Sequence, residues 1–165
     1  MSESLMEADI AVIGSGASGL AAALTAAGDG AKVILFEKQP SLGGTSNFFN
    51  GIFAVESDMQ KKQYIAYSRD QAFRNFMEYN HWRVNAPLVR ALINKSADTI
   101  RWLQENGVEF PEVTINMPDA PRTYHIVKGG GEAVVKSREL RALMSLMRVR
   151  TSAGVISPSP LTSQA

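Results

Sequence analysis

The first apolar run, Ile10-Ala11-Val12-Ile13, shows no polar alternation. That is the pattern of a strand covered on both faces, as in a parallel sheet. Gly14 ends the run. Ala17 to Ala27 is rich in alanine and leucine and predicts a helix whose small side chains let it lie close to the strand. Gly28-Asp29-Gly30 stops that helix, because glycine supplies the backbone conformations a helix end needs. Lys32 to Phe36 predicts a second apolar strand. The order is strand, tight turn, helix, strand, in under 30 residues, which is a βαβ unit.

The next segment, Lys38 to Asn47, reads as a loop from its glycine, proline and serine content. Phe48 to Val55 is apolar around Gly51, and Met59 to about Tyr79 predicts a helix. Asn85 caps a further helix with Pro87 in its first turn. Leu88, Leu92, Ile93, Ile100 and Leu103 recur there at helical spacing, with Ser96 an alternative start for a second helix after a short break. Asn106-Gly107 closes it. Residues 108–124 are proline-punctuated and read as irregular or as short strands. Gly129-Gly130-Gly131 opens a helix through Met147, with Leu140, Leu143, Met144 and Met147 as its stripe. Thr151 to Ala165 is uncharged, with two prolines and four serines, and is expected to be disordered. The fold class expected is α/β.

Composition narrows the chemistry. The 165 residues are 45% hydrophobic and 20% charged, a globular balance long enough for a real core. There is no cysteine, so disulfides, thiolate nucleophiles and iron–sulfur ligation are excluded within this chain. Two histidines, His81 and His125, argue against a His-rich site, and no metal ligands are expected. The net charge of +1 gives no electrostatic case for nucleic acid or an anionic membrane. No apolar run reaches the roughly 20 residues of a spanning helix, and the short acidic N-terminus lacks a secretory pattern. A cytoplasmic location is the expectation. The charge is uneven: residues 1–127 carry 11 basic and 14 acidic groups, and residues 128–165 carry 6 and 2.

The chemistry lies at the first turn. Gly14-Ser15-Gly16-Ala17-Ser18-Gly19 is G-x-G-x-x-G between a strand and a helix, and Glu37 follows Gly19 by 18 residues at the end of the second strand. Gly14 permits the tight turn. Gly16 leaves room for a pyrophosphate against the backbone, and Gly19 allows close helix–strand packing. The helix N-terminus presents unpaired N–H groups and partial positive charge to phosphates. Glu37 accepts from adenosine ribose hydroxyls, and its charge disfavours a 2′-phosphate. On the residues alone, a glycine-rich turn of another α/β fold and a solvated strand-end carboxylate remain alternatives.

FAD and NAD both use such a unit. Gly43-Gly44-Thr45-Ser46 closely follows Glu37-Lys38. An acid followed by a Gly-Gly pair before Thr/Ser resembles the N-terminal part of FAD-dependent oxidoreductases, and more narrowly the fumarate reductase/succinate dehydrogenase flavoprotein family. The resemblance continues through residues 43–52, Leu-Val-Arg-Ala-Leu, Ile-Arg-Trp-Leu-Gln-Glu-Asn-Gly-Val and Lys-Gly-Gly-Gly-Glu-Ala-Val-Val-Lys, so it covers about residues 8–136. It implies an incomplete Rossmann-like FAD-binding domain, a parallel sheet with a glycine-rich βαβ unit plus a helical insertion. It implies that Gly14, Gly16, Ala17, Ser18 and Gly19 cradle the FAD pyrophosphate, with Glu37 on the adenosine ribose and Lys38 beside it. Gly43, Gly44, Thr45 and Ser46 would follow the diphosphate and ribityl chain, and Gly51 and Ile52 would approach the isoalloxazine. The succinate dehydrogenase branch attaches FAD through a histidine near the Gly-Gly loop. None stands there in this chain, so non-covalent FAD is expected.

For His125 the readings are a proton-donor or substrate-binding residue and a strand or loop histidine without chemistry. Phe48, Phe49, Phe53, Trp82 and Trp102 are expected in the core, and His81 has no assigned role. Arg122 reads as either a surface or a substrate arginine. The resemblance implies hydride transfer between flavin N5 and an activated C–C double bond of a small-molecule substrate. A capping domain and a catalytic arginine would assist, and neither is recognised here. No catalytic residue is assigned. The expected organisation is residues 1–136 as the N-terminal part of the FAD-binding domain, 137–150 as a basic helix and 151–165 as a disordered tail. The reading is a truncated or frame-disrupted flavoprotein, inactive alone. The alternatives are a short domain working with a second polypeptide that supplies the cap, a non-catalytic dinucleotide-binding module, and an inactive remnant.

Overall fold

The computed structural model describes residues 7–136 and 148–156. The chain divides into two compact units. One is formed by the segments up to Phe48 and from Gly131, the other by Phe49–Gly130.

The first unit begins with β1 (Ile10–Ile13), α1 (Ala17–Gly28) and β2 (Val33–Phe36), as the apolar runs predict. β1 and β2 pair in parallel, Ile10 opposite Val33 and Ile13 opposite Phe36. Val33, Ile34 and Leu35 are buried, as expected of a central strand. α1 buries Leu20, Ala23, Leu24 and Ala27, an i, i+3, i+4, i+7 stripe. Each buried leucine of that stripe is worth about 2 kcal/mol. β1 departs from expectation. Ile10 is 40% and Ile13 89% exposed, because among the described residues β1 pairs only with β2 and forms the edge of its sheet.

A 3₁₀ turn spans Gly44–Phe48. After the second unit the chain returns through a short α5 (Gly130–Val135) to β6 (Arg148–Thr151) and β7 (Gly154–Ile156). The sheet order is β1-β2-β6-β7, with β6 parallel to β2 and β7 antiparallel to β6. Residues 148–156 thus form a hairpin where the end of a basic helix and the start of a disordered tail were expected. Val149 and Thr151 are buried and Arg150 between them is exposed, the period of a strand. β1, β2 and β6 thus run parallel to one another. The expected stripe Leu140, Leu143, Met144 and Met147 and the segment 157–165 lie outside the described residues.

The second unit contains β3 (Gly51–Phe53), α2 (Asp58–Lys62), α3 (Arg69–Tyr79), α4 (Ala86–Glu105), β4 (Val113–Thr114) and β5 (Tyr124–Ile126). Its sheet is antiparallel in the order β3-β5-β4. The single helix expected over Met59–Tyr79 is two helices. Ser57 with Gln60, and Ser68 with Gln71, each form a reciprocal capping box, which starts a helix afresh at both places. Conversely α4 runs unbroken for 20 residues. Asn85 caps it by accepting from the Leu88 N–H at 3.0 Å. Ser96 starts no helix: its hydroxyl donates to the Ile93 carbonyl at 2.8 Å and accepts the Val55 N–H at 3.1 Å. Val89, Ile93, Ala97, Ile100 and Leu103 are buried, while Leu88 and Leu92 face solvent.

Val55, Ala72, Met77, Val89 and Ile93 form the core of this unit, with Tyr67, Phe73, Val84 and Ala86 packed against it. Of the aromatics expected in the core, Trp82, Phe48 and Phe53 are exposed. Trp82 only meets Phe73 edge-on, with centroids 6.4 Å apart. Among the described residues no helix is long and apolar enough to cross a membrane.

Candidate functional site

Gly14 lies at φ +93°, a conformation in which a side chain is strained, and its N–H donates to the Phe36 carbonyl at 2.7 Å. The turn is thereby tied to the end of β2. A Cβ on Gly19 would lie 2.0 Å from the Gly14 carbonyl oxygen, so only glycine lets the first turn of α1 close onto the loop. A Cβ on Gly16 would meet nothing nearer than the Ser46 hydroxyl at 3.9 Å. There the absence of a side chain leaves open space over the backbone. Gly16 is the N-cap of α1 and offers no side-chain cap. Ala17 and Ser18 are exposed at the helix start.

Two further segments converge on this turn. Ser46 accepts the Ala17 N–H at 2.9 Å, and the Gly43 N–H donates to both the Ser15 carbonyl (3.1 Å) and the Ser15 hydroxyl (3.0 Å). Gly43 requires glycine: its φ is +102°, and a Cβ would lie 2.3 Å from the Asn47 side chain. Gly44 and Thr45 stand exposed at the start of the 3₁₀ turn.

Glu37 sits just past β2, its own N–H donating to the Arg150 carbonyl of β6 at 2.8 Å. Oε2 of Glu37 accepts from the Ser15 hydroxyl (2.5 Å) and the Ser15 N–H (2.8 Å), and Oε1 accepts from the Gln39 N–H (2.9 Å). The Ser15 hydroxyl, with the Gln39 and Ser15 amides, holds the carboxyl well below its usual range, to about 2. These bonds favour the charged form. Lys38 beside it is exposed. Gly14, Gly16, Ala17, Ser18, Gly19, Glu37 and Gly43 to Ser46 are therefore one local assembly. It combines a concave backbone, open space over Gly16 and a fixed anion at the strand end, which suits a dinucleotide whose phosphates meet amides and whose ribose meets the acid. Ser15, which occupies a variable position of the motif, is the residue the sequence reasoning missed.

Gly51 and Ile52 belong to the second unit. They pair with Ile126 and His125 across β3 and β5. A Cβ on Gly51 would lie 2.6 Å from the Tyr124 ring, so packing inside that sheet already demands glycine there. His125 is fully buried. Its Nδ1 lies 3.1 Å from the Thr123 carbonyl, which can only accept, so Nδ1 carries the proton. The Ser57 hydroxyl then donates to Nε2 at 2.7 Å. Burial pushes the imidazole pKa below 6.5, against the opposing pull of the Thr123 carbonyl. His125 is thus held inside the second unit between the Thr123 carbonyl and the Ser57 hydroxyl. Arg122 donates to the Val113 carbonyl at 2.8 Å and to Gln63 at 2.6 Å, binding loop to strand.

A sequence profile described as an FAD binding domain matches residues 9–160, beyond residue 136 where the resemblance was expected to stop. The chain is 42% identical over 127 residues to a vinyl phenol reductase of Lactiplantibacillus plantarum, covering 77% of this chain and 26% of that protein. It is 36% identical over 107 residues to a fumarate reductase (cytochrome) of Shewanella frigidimarina, covering 64% and 19%. Its fold superposes on the open conformation of a flavocytochrome c3 fumarate reductase with a TM-score of 0.76 at 25% identity, over 87% of this chain and 26% of that one. The chain thus spans about a quarter or less of the length of these relatives.

Proposed function

Because this chain belongs to the FAD binding domain family of fumarate reductase-like flavoproteins, we propose that it holds FAD non-covalently in the glycine-lined assembly of its first unit. Gly14, Gly16, Ala17, Ser18 and Gly19 receive the pyrophosphate, Glu37 the adenosine ribose with Lys38 beside it, and Gly43, Gly44, Thr45 and Ser46 the diphosphate and ribityl chain. Gly51 and Ile52 are assigned to the isoalloxazine end. One observation carries the reading: Gly43 and Ser46 are hydrogen-bonded onto the same turn that holds Glu37. The glycine turn, the end of β2 and the Gly43–Ser46 segment are thereby tied together, which supports one ligand lying across all three.

The reaction class is reduction of an activated C–C double bond in a small molecule, as the names vinyl phenol reductase and fumarate reductase describe for two relatives. When bound and reduced, FAD supplies a hydride to one carbon of such a bond. The proton for the other carbon is assigned to no residue of this chain. The parts of the longer relatives that this chain does not span are the proposed source of the cap and of that proton, and the chain alone is expected to be inactive.

The test is a titration of the purified chain with FAD and NAD. Saturable perturbation of the flavin band near about 450 nm, with free FAD recovered after acid denaturation, is expected. Binding FAD no better than NAD would overturn the cofactor reading. Reduction of fumarate or an enone by this chain alone would overturn its assigned inactivity.

A further inference from the structure

Ser15 is fully buried and stands at the first variable position of the glycine motif, where the pattern asks for no particular side chain. Its hydroxyl nevertheless uses both its capacities. It donates to Glu37 Oε2 at 2.5 Å and accepts the Gly43 N–H at 3.0 Å, while the Ser15 N–H donates to the same Oε2 at 2.8 Å. A carboxylate has about four acceptor sites. Oε2 has both of its sites taken, and Oε1 has one taken by the Gln39 N–H. Oε1 is then the oxygen open to a ligand, on a carboxylate that Ser15 and the Gln39 and Lys38 amides hold against rotation. A bond to a charged acceptor is among the stronger ones in a protein, so the position is defined before any ligand arrives. Pre-ordering of this kind raises affinity by removing the cost of fixing the group on binding.

We propose that Ser15 is a positioning residue that presets the Glu37 carboxylate for the hydroxyls of an adenosine ribose while pinning the Gly43 loop to the same turn. The proposal rests on the reading of Glu37 as the ribose acceptor. It predicts that recognition of ribose hydroxyls depends on a side chain that never touches the ribose.

The test uses the full 165-residue chain and calorimetric titration with ADP and with 2′,3′-dideoxy-ADP, which lacks the hydroxyls. Wild type should bind ADP more tightly than the dideoxy compound. Ser15→Ala should weaken ADP about tenfold more than it weakens the dideoxy compound, the worth of one hydrogen bond to a charged group, so that discrimination collapses, while any loss from the freed Gly43 loop falls on both nucleotides alike. Ser15→Cys fills nearly the same space with a poor donor and acceptor and should behave likewise, which guards against a folding failure of the alanine variant. In the ligand-free protein, an NMR titration should show the Glu37 carboxyl moving up from about 2 in both variants, while the residue 15 and Gln39 amides keep their wild-type exchange protection, which general loosening would not allow. Equal weakening of both nucleotides, or discrimination unchanged from wild type, overturns the proposal while leaving FAD binding standing. Failure of wild type to bind either FAD or ADP overturns the reading of the site itself, and the proposal with it.

Discussion

Two buried serines, one in each unit, use their hydroxyls in the same way on partners of opposite kind. Ser15 donates to the Glu37 carboxylate and accepts a backbone N–H from Gly43. Ser57 donates to the His125 imidazole and accepts a backbone N–H from Gln60 at 3.2 Å. Both partners have lowered pKa values, for opposite reasons. At Glu37 hydrogen bonds favour the charged form, so an acid becomes a fixed anion. At His125 burial disfavours the charged form, so a base becomes a neutral strut. The first arrangement leaves an acceptor site for a ligand. The second closes on itself, with Thr123 on one ring nitrogen and Ser57 on the other. Among the described residues both ring nitrogens of His125 have partners, whereas the Glu37 carboxylate keeps an oxygen open.

The largest effect that separates the two regions is steric. Gly19→Ala places a Cβ 2.0 Å from the Gly14 carbonyl, against backbone that has no rotamer to give. It should cost about 3 kcal/mol in urea unfolding, the upper end for overpacking, and bring FAD binding below detection. Gly51→Ala meets the Tyr124 ring at 2.6 Å, which can partly yield, and the His125 carbonyl at 2.8 Å, a milder backbone clash than the 2.0 Å at Gly19, and should cost less. If Gly51→Ala abolishes FAD binding and Gly19→Ala does not, the assignment of the cradle to the first unit fails.

Much of the first region was legible in the sequence, because glycines at fixed spacing report backbone constraint directly. Ser15 was not, since the motif treats its position as free and only burial reveals the carboxylate above it. Residues 148–156 were misread because a basic helix was carried on to Arg150 and a disordered tail begun at Thr151, whereas buried and exposed positions alternate at Val149, Arg150 and Thr151. That error hid the strand whose Arg150 carbonyl fixes the Glu37 backbone. In the second region, periodicity found α4 and placed Ile93, Ile100 and Leu103 on its buried face, but misplaced Leu88 and Leu92 at its first turns. Leu88 and Leu92 were counted because leucine is the more apolar residue, whereas Val89, Ile93 and Ala97 define the buried line.

Ser57→Ala gives the next largest effect. It leaves the buried His125 Nε2 without a donor, which should cost about 2 kcal/mol, within the range for an orphaned buried polar atom. Amide exchange at β5 should accelerate accordingly. Ser15→Ala should lower stability less, because Glu37 is partly exposed and water replaces the lost bond. Equal stability losses would erase the distinction between a ligand-facing and a closed serine.

Acid should separate the regions by order. For His125 the folded pKa lies below the 6.5 of the unfolded chain, so the unfolded state takes up the proton first. Its contribution is complete above 6.5 and is lost as the pH falls from there toward the folded value. For Glu37 the folded pKa is about 2 against 4.5, so its contribution holds above 4.5 and drains between 4.5 and about 2. Exchange at β5 amides should therefore rise before exchange at the Ser15 and Gly43 amides as the pH is lowered. The reverse order would mean that burial of His125 is not what lowers its pKa.

The smallest prediction isolates what the histidine adds to Ser57. Ser68 caps α3 with the same reciprocal box that Ser57 gives α2: its hydroxyl accepts the Gln71 N–H at 3.1 Å, and Gln71 accepts the Ser68 N–H at 2.8 Å. These bonds are solvent-exposed and involve no imidazole. Ser68→Ala should therefore cost only the cap, about 1 kcal/mol, and water should recover part of it. The excess of Ser57→Ala over Ser68→Ala then measures the Ser57–His125 bond with the capping contribution removed. His125→Ala placed on Ser57→Ala should add little beyond the ring's lost packing against Phe110. If Ser68→Ala costs as much as Ser57→Ala, the hydroxyl–imidazole contact contributes nothing, and the buried serine of the second region is only a helix cap.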